Sequence, residues 1–319
     1  MLTLYAVVPC YNEEEVLPQS AEILRDKWRG LMARGKITPE SRITLVDDGS
    51  KDRTWEMIES LCGEEESLFC AVKLSHNRGH QNALLAGLQT CMDVCDATVS
   101  LDADLQDDID VIDRFIEEYE KGADIVFGVR SDRSSDTFAK RVTAQGYYKF
   151  LKMLGVDIIY NHADYRLMSR RALHALSQYR ETNLFLRGII PELGFPAATV
   201  TYARKERQAG ESKYTLKKML ALAFDGITSF SVRPIRMLSV IGVLTLLVAV
   251  CMGIYTLARH FTGNTVSGWS SLMISIWFLG GLNLLALGVV GEYIGRIYSE
   301  VKQRPRYIVE ETLGDGLKK

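Results

Sequence analysis

The sequence carries little net charge and lacks the cysteine spacings of a metal site. Its 38 lysine and arginine residues nearly balance 40 aspartate and glutamate residues, which gives a formal net charge of -2. A balanced chain does not have the excess of basic residues typical of proteins that bind nucleic acid, so we expect no nucleic-acid partner. The six cysteines show no paired metal-ligand spacing, and we expect them to be reduced packing residues.

Two glycine-rich phosphate-binding motifs are also missing. A dinucleotide-binding fold carries G-x-G-x-x-G after its first strand, whereas Pro9-Cys10-Tyr11-Asn12-Glu13 follows the first apolar run of this chain. No glycine-rich loop ends in Gly-Lys-Ser or Gly-Lys-Thr. These absences argue against a dehydrogenase and against a P-loop nucleotide hydrolase. The first apolar run also lacks the basic leader of a signal peptide, and it predicts a strand.

Charge is nearly absent from two long apolar segments, residues 235–258 and 269–291. Each is long enough to cross a bilayer, which takes about 20 apolar residues in a helix. The alternative is a pair of buried helices in a soluble protein, although neither segment shows a polar face. Positive charge at the outer ends of the pair predicts that both termini are cytoplasmic. The basic residues concerned are Arg233, Arg236, Arg296, Lys302, Arg304 and Arg306.

These features predict a multi-pass protein of the inner (plasma) membrane with two spans and the lipid bilayer as a partner. An amphipathic stretch precedes the first span and is suited to lie along the membrane interface. The predicted segments are a cytoplasmic catalytic domain at residues 1–214, a juxtamembrane segment at 215–234, spans at 235–258 and 269–291, and a cytoplasmic tail at 292–319.

The first 130 residues alternate between apolar runs and stretches with helical periodicity. The apolar runs, which are rich in β-branched residues, cover residues 4–8, 43–46, 71–74, 97–101 and 125–129. Helical periodicity occurs at residues 16–32, 54–61 and 81–92. This alternation predicts an α/β domain with a mainly parallel sheet that is covered by helices on both faces.

A polar cluster follows each of the first four apolar runs, at residues 9–13, 47–50, 75–79 and 102–104. Ligands of an open α/β sheet bind outside the carboxyl ends of its strands, so the clusters should converge on one crevice. Asp102 and Asp104 can hold a hard cation such as Mg²⁺ or Mn²⁺ while substrate phosphates complete its coordination. The alternative is a turn or a helix cap, because aspartate is common in both.

Three of these clusters, in this order, resemble the donor half of a family 2 glycosyltransferase. The matching strings are Val8-Pro9-Cys10-Tyr11-Asn12-Glu13, Val46-Asp47-Asp48-Gly49-Ser50-Lys51-Asp52-Arg53-Thr54 and Leu101-Asp102-Ala103-Asp104-Leu105-Gln106. The resemblance implies a GT-A fold, a nucleoside diphosphate sugar donor, a divalent cation and inversion at the anomeric carbon.

The resemblance also assigns roles to individual residues. It places Asp102 and Asp104 at the metal, with Gln106 as their companion. The residues that it places at the nucleoside are Pro9, Tyr11, Glu13 and Asp48, with Asp47 near them. For Asp47 and Asp48, ordinary turn chemistry remains an alternative explanation.

A basic motif, Arg207-Gln208-Ala209-Gly210-Glu211-Ser212-Lys213-Tyr214, lies just before the amphipathic stretch. Arg207 and Lys213 supply positive charge and Ser212 a hydroxyl, which suits an acceptor phosphate. The alternative is a solvated basic loop that is attracted to anionic lipid. Arg130, after the fifth apolar run, is a further candidate for phosphate binding, although charged loop residues are often merely solvated.

The basic motif and the paired spans resemble the polyprenyl-phosphate branch of the family. This branch includes dolichyl-phosphate mannose synthases and bacterial undecaprenyl-phosphate sugar transferases. Two strings look most like the enzymes that load glucose onto undecaprenyl phosphate: residues 164–171 and 291–298. The resemblance makes Asp164 the usual candidate for a catalytic base. Asp164 can equally orient a substrate, cap a helix or pair with Arg166.

We therefore expect inverting transfer of one hexose, most simply glucose from UDP-glucose, to polyprenyl phosphate at the cytoplasmic face. In this mechanism Asp104, with Asp102 nearby, stabilises the departing diphosphate through the cation. Donors such as GDP-mannose or a UDP-aminoarabinose derivative remain open, and so does homo-oligomer formation. An alternative of another class is a catalytically silent subunit that binds nucleotide sugar. A transporter is disfavoured because it usually needs more than two spans per chain.

Overall fold

The computed structural model describes residues 1–64, 67–130, 162–181, 186–202 and 268–317, together with parts of a helix between residues 240 and 255. These residues fall into two compact units. The first contains the described residues up to 202 and those from Pro305 onward. The second contains the long apolar helix near the C-terminus.

The first unit is built on one sheet of eight strands in the order β7-β5-β6-β4-β1-β2-β3-β8. The strands are β1 (Leu4–Cys10), β2 (Arg42–Asp47), β3 (Phe69–Leu74), β4 (Ala97–Ser100), β5 (Ile125–Arg130), β6 (His162–Ser169), β7 (Ala197–Tyr202) and β8 (Val309–Leu313). The helices of this unit are α1 (Leu17–Ala33), α2 (Thr54–Cys62), α3 (His80–Cys91), α4 (Ile112–Glu120), α5 (Arg170–Ser177) and α6 (Leu186–Glu192).

The centre of the sheet is parallel and fully buried. Strand β1 lies between β2 and β4, parallel to both, and all seven of its residues are buried. Helices therefore cover both faces of this strand, which is why it appears in the sequence as a continuous apolar run. Four of the seven strand pairings are parallel. The expected α/β domain with a mainly parallel sheet is confirmed.

Strand β6 lies between β4 and β5 and runs antiparallel to both. Its residues Asp164 and Arg166 are two apart, so their side chains leave the same face of the sheet. Arg166 pairs in register with Ser100, the last residue of β4. This strand therefore brings a charged pair beside the carboxyl end of β4, where the Asp102-Ala103-Asp104 loop begins.

The C-terminal segment belongs to the sheet, which corrects the predicted division of the chain. Residues 292–319 were expected to form a tail, whereas β8 pairs antiparallel with β3 at the edge of the sheet. The Tyr5 hydroxyl donates to the Gly316 carbonyl over 2.8 Å, and the Tyr307 hydroxyl donates to the Gln89 side chain. Residues from Pro305 onward therefore complete the first unit.

The second unit contains the helix α7 (Trp269–Val301), which spans 33 residues. The part of it from Phe278 to Val301 is long and apolar enough to cross a membrane. Among the residues that the structure describes, it is the one helix that meets this criterion. The span predicted at residues 235–258 falls mostly outside the described residues, and the juxtamembrane segment at 215–234 falls wholly outside them.

Candidate functional site

The loops that follow β1 and β2 are bonded to one another. The Asn12 amide donates to Ser50 Oγ over 3.1 Å, and the Lys51 amide donates to Asn12 Oδ1 over 2.8 Å. The Glu13 amide donates to Thr54 Oγ1 over 2.8 Å. Asn12 adopts a left-handed backbone with φ of 54°, a conformation that asparagine tolerates better than most residues. These bonds hold the first two polar clusters together as one wall of the crevice.

Asp48 ties this wall to the loop after β3. Its two carboxylate oxygens accept hydrogen bonds from the amides of Arg78 and Gly79, over 2.6 and 2.8 Å. Gly49 has a φ of 67°, and a Cβ atom there would lie 2.7 Å from the backbone of His76. Only glycine therefore allows the two loops to approach so closely. Three of the four predicted clusters thus meet in one place.

Asp47 and Asp48 are both almost completely buried. Asp47 accepts from the Ser50 amide at 3.3 Å, as the turn interpretation predicts. Burial raises the pKa of both carboxyl groups, against the lowering effect of the hydrogen bonds that they accept. Pro9 is buried in β1, whereas Tyr11 is 40% exposed and presents its ring to solvent. The arrangement offers an open aromatic surface beside a rigid floor.

The loop after β4 carries the candidate metal ligands. Ala103 is buried, and its carbonyl accepts a hydrogen bond from Ser20 Oγ over 2.6 Å, which fixes the middle of the loop. Leu105 has a φ of 44° and turns the chain back, so that Gln106 Nε2 donates to Asp104 Oδ2 over 2.6 Å. Asp104 is exposed and Asp102 is half-buried. Gln106 therefore orients the outer carboxylate.

The residues present suit a cation whose coordination substrate oxygens complete. Among the described residues, no group of three or more acidic, histidine or cysteine side chains forms a self-sufficient metal site. Desolvation raises the pKa of Asp102, and the negative charges of Asp164, Asp107 and Asp104 raise it further, against the opposing effect of His80. Excess negative charge beside two carboxylates favours Mg²⁺ or Mn²⁺, which need few protein ligands.

Asp164 lies across from this loop in a cluster of arginines. Its Oδ1 is 2.5 Å from Arg166 Nη2, and its Oδ2 is 2.8 Å from Arg187 Nη2. Burial alone would raise the pKa of Asp164, but the two guanidinium groups hold it well below its usual range. A carboxylate with so low a pKa is a weak base. The geometry therefore favours the pairing and orienting roles of Asp164 over a base.

His80 lies between the two groups of carboxylates. Its Nε2 is 3.6 Å from Asp102 Oδ1 and 3.8 Å from Asp164 Oδ2. His80 is the first residue of α3 and follows Gly79, whose amide binds Asp48. The segment Gly79-His80 thus contacts Asp48 through its backbone, and Asp102 and Asp164 through the His80 ring.

Arg130 does not extend into the crevice as an isolated cation. Its Nη2 is 3.2 Å from Asp107 Oδ1, and the Tyr202 hydroxyl donates to the same oxygen over 2.7 Å. Asp107 is buried, so this pair links the ends of β5 and β7 to the loop after β4. The predicted phosphate-binding residues Arg207, Ser212 and Lys213 lie outside the described residues.

Sequence reasoning missed two residues of the site, His80 and Arg187. His80 comes one residue after the third polar cluster, and its place at the start of a helix behind a strand end was an available signal. Arg187 belongs to no motif and reaches Asp164 only in the folded chain. A 3.1 Å hydrogen bond from the Leu186 amide to Gln81 Oε1 holds the start of α6 near the start of α3.

The fold and the site define a class of protein: α/β proteins with a polar crevice at the carboxyl ends of parallel strands, the place where open α/β sheets bind ligands. A family model for glycosyl transferase family 2 matches residues 5–177, more than half of the chain. The chain belongs to this family, and its GT-A type of fold agrees with the expectation from the sequence motifs.

Similar proteins cover nearly the whole chain. An uncharacterized glycosyltransferase, YkoT, of Bacillus subtilis is 51% identical over 96% of this chain and 91% of that protein. The SfII prophage-derived bactoprenol glucosyl transferase of Shigella flexneri is 40% identical over 96% of this chain and 97% of that protein. A solved structure, glucosyl-3-phosphoglycerate synthase from Mycobacterium tuberculosis with Mn²⁺, UDP and phosphoglyceric acid, is 18% identical with a TM-score of 0.45, over 71% of this chain and 76% of that one.

Proposed function

We propose that this protein transfers a single glucose, with inversion, from UDP-glucose to undecaprenyl or another polyprenyl phosphate at the cytoplasmic membrane face. The observation that carries the proposal is the 40% identity to bactoprenol glucosyl transferases over nearly the full length of both chains. The arrangement of the crevice supports the same chemistry, since a buried floor, an acidic loop and a basic cluster stand side by side.

In this proposal the donor nucleoside lies on the wall built by the loops after β1 and β2. Tyr11 offers a face for the base, and the rigid backbone around Asp48 sets the depth of the pocket. Pro9, Glu13 and Asp47 border the same space. A preformed pocket loses little conformational freedom when the ligand binds, so more of the contact energy remains available as affinity.

Asp102 and Asp104 would hold Mg²⁺ or Mn²⁺ against the donor diphosphate, with Gln106 fixing the angle of Asp104. A cation bound there would supply positive charge for the departing diphosphate. The attacking phosphate oxygen approaches the anomeric carbon from the opposite face, so the configuration inverts. A phosphate is anionic near neutral pH and needs no strong base, in agreement with the low pKa of Asp164.

The acceptor phosphate is proposed to bind Arg207, Ser212 and Lys213 of the basic motif that precedes the membrane segments. The span predicted at residues 269–291 lies within α7 and would anchor the enzyme in the bilayer. We propose a second span at residues 235–258 and cytoplasmic termini, which the flanking positive charges favour. The sheet unit would then remain on the cytoplasmic side.

A donor panel tests the proposed function. Purified full-length protein in detergent or nanodiscs is supplied with polyprenyl phosphate, Mg²⁺ or Mn²⁺, and UDP-glucose, GDP-mannose or a UDP-aminoarabinose derivative in turn. We expect a polyprenyl-phosphate-linked glucose from UDP-glucose and a much slower reaction with the other donors. Equal or faster turnover with GDP-mannose contradicts the glucose assignment. Donor binding without any glycolipid product supports the silent-subunit alternative instead.

A further inference from the structure

The backbone of His80 is held by the floor of the crevice. Gly79, the residue before it, has a φ of 86°, a conformation that favours glycine. The Gly79 amide donates to Asp48 Oδ2 over 2.8 Å, and the Gly79 carbonyl accepts hydrogen bonds from the amides of Asn82 and Ala83. A buried carboxylate and the first turn of α3 therefore fix the point from which the His80 side chain extends.

The His80 ring lies between two carboxylates without completing a hydrogen bond to either. Its Nε2 atom is 3.6 Å from Asp102 Oδ1 and 3.8 Å from Asp164 Oδ2. Both distances exceed the usual range of an N–H···O hydrogen bond, which is about 2.7–3.2 Å. The side chain is 43% exposed, and the ring makes no shorter polar contact with the residues that the structure describes. Towards those residues, the ring nitrogens keep their hydrogen-bonding capacity for a ligand.

The charges around the ring suit an uncharged ligand group. Arg166 and Arg187 both bind Asp164, and Asp102 stands on the other side of His80. Two guanidinium groups and two carboxylates balance one another, and the other acids of the loop after β4 add negative charge beside Asp102. An anion therefore gains little here from electrostatic attraction. A hydroxyl group has no charge, and it can donate to a carboxylate while it bonds to an imidazole nitrogen.

The proposed function brings such a group to this part of the crevice. In that proposal Asp102 and Asp104 hold a cation against the donor diphosphate, and the hexose is bonded directly to the diphosphate. The hexose would then lie beside the loop after β4. Asp164 belongs to β6, which pairs with β4 up to Ser100, just before this loop. The space between Asp102 and Asp164, which His80 borders, is therefore suited to the hexose.

We propose that His80 hydrogen-bonds a hydroxyl group of the transferred hexose and contributes to the choice of sugar. This inference rests on the proposed function and deepens it, because it names a residue that contacts the sugar and not the nucleotide. The ring extends from the start of a helix, so the direction of its hydrogen bond is restricted. A site built to bond a substrate hydroxyl rejects analogues without that group more strongly than an apolar pocket does.

Removal of the ring should weaken binding of the sugar but not of the nucleotide. UDP and UDP-glucose are titrated separately by calorimetry into full-length wild type and His80→Ala, at saturating Mn²⁺ and without acceptor. The Kd of UDP should stay within about twofold, whereas the Kd of UDP-glucose should rise about three- to tenfold, the usual effect of losing one hydrogen bond. His80→Gln should recover part of the loss, because its amide also donates and accepts hydrogen bonds. Both variants should keep the wild-type melting temperature, since the substituted side chain is partly exposed.

His174→Ala is the matched control. The His174 side chain is 46% exposed, and its Nε2 atom lies 3.5 Å from Asp93 Oδ1, so its setting resembles that of His80. It belongs to α5, which follows the end of β6 that pairs with Ala97 at the start of β4. His174 therefore lies away from the crevice, and its variant should keep both Kd values.

Two results of the His80→Ala titrations overturn the inference. One is an unchanged Kd of UDP-glucose. The other is an equal rise in the Kd of UDP and of UDP-glucose, because His80 would then act on the metal loop or on the nucleotide. Absence of UDP-glucose binding to the wild type overturns the inference as well.

Deoxy donors identify the hydroxyl group and separate this inference from the proposed reaction. Analogues of UDP-glucose that lack the hydroxyl group at C2, C3, C4 or C6 are titrated into wild type and His80→Ala. One of these deletions should weaken binding to the wild type but cost nothing further in the variant, since the partner of that hydroxyl is already missing. This result upholds the inference even if no glycolipid forms, in which case the proposed reaction alone fails. Equal penalties in both proteins for every analogue overturn the inference even if the wild type transfers glucose.

Discussion

Asp104 and Asp164 lie on two sides of one crevice, and their carboxylates are in opposite situations. Asp104 is exposed and accepts a hydrogen bond from the Gln106 side chain. Asp164 is only 12% exposed and lies between two arginines. The first carboxylate is open to solvent and, in the proposed function, receives a cation, whereas the second is paired with guanidinium groups of the protein. The same residue type therefore serves two different electrostatic roles, which the sequence pattern alone does not separate.

The largest expected effect is the loss of stability in Asp164→Asn. Removing this carboxylate leaves Arg166 buried without its partner, and breaking a buried ion pair in this way costs about 3–5 kcal/mol. Chemical denaturation should report the loss as a lower midpoint with an unchanged slope. Asp104→Asn is the matched control, and its midpoint should move very little because its side chain is exposed. Equal midpoints for the two variants would remove the contrast between the two sites.

The second-largest expected effect is on turnover. Here Asp104→Asn, which should hardly change stability, is the variant that should lose most. Asp104→Asn should lower kcat about 100- to 1000-fold, the usual loss when a charge-stabilising group of the transition state is removed. The residual rate should no longer respond to Mg²⁺ or Mn²⁺, and chelation of metal should bring the wild type to a similar rate. Asp110→Asn, an exposed acid a few residues further along the chain, provides a control that should keep the wild-type rate. Metal-dependent turnover of normal size in Asp104→Asn would refute the metal role.

Buried strands could be predicted from the sequence, whereas charged or exposed strands could not. Strands β1 to β5 and helices α1 to α3 lie within about two residues of their predicted bounds, because a strand buried on both faces is a continuous apolar run. Strand β6 was missed because Asp164 and Arg166 interrupt its apolar character. Strand β8 was missed because it is short, charged and exposed at the edge of the sheet.

The site was predicted unevenly for a related reason. Asp47, Asp48, Asp102 and Asp104 follow apolar runs directly, so their positions in the sequence show their place at strand ends. Arg187 comes from a short helix that no motif marks, and it reaches Asp164 only through tertiary packing. The partners of a charge depend on contacts far apart in the chain. This is why the acids were visible in the sequence and the arginine that pairs with one of them was not.

A smaller effect tests how Asp104 is oriented. Gln106→Ala removes the 2.6 Å hydrogen bond to Asp104 Oδ2 but no candidate metal ligand. Loss of such an outer contact usually weakens metal affinity about 10-fold or more, so activity should require correspondingly more Mn²⁺. At saturating Mn²⁺ the rate should approach that of wild type. A reduced rate that added metal does not restore would indicate that Gln106 contacts the substrate instead.

The smallest expected effect concerns pH. The stability that Asp164 contributes should hardly change with pH near neutrality. The folded pKa of Asp164 lies below its unfolded value, which is about 3.9. Its contribution to stability is therefore fully present above about pH 4 and is lost only as the pH falls through the lower folded value. The difference in unfolding free energy between wild type and Asp164→Asn should thus stay constant within about 0.5 kcal/mol from pH 7 to pH 5. A difference that shrinks steadily over this range would mean that Asp164 takes up a proton there, and the arginine pairing would then be too weak to exclude a role as a base.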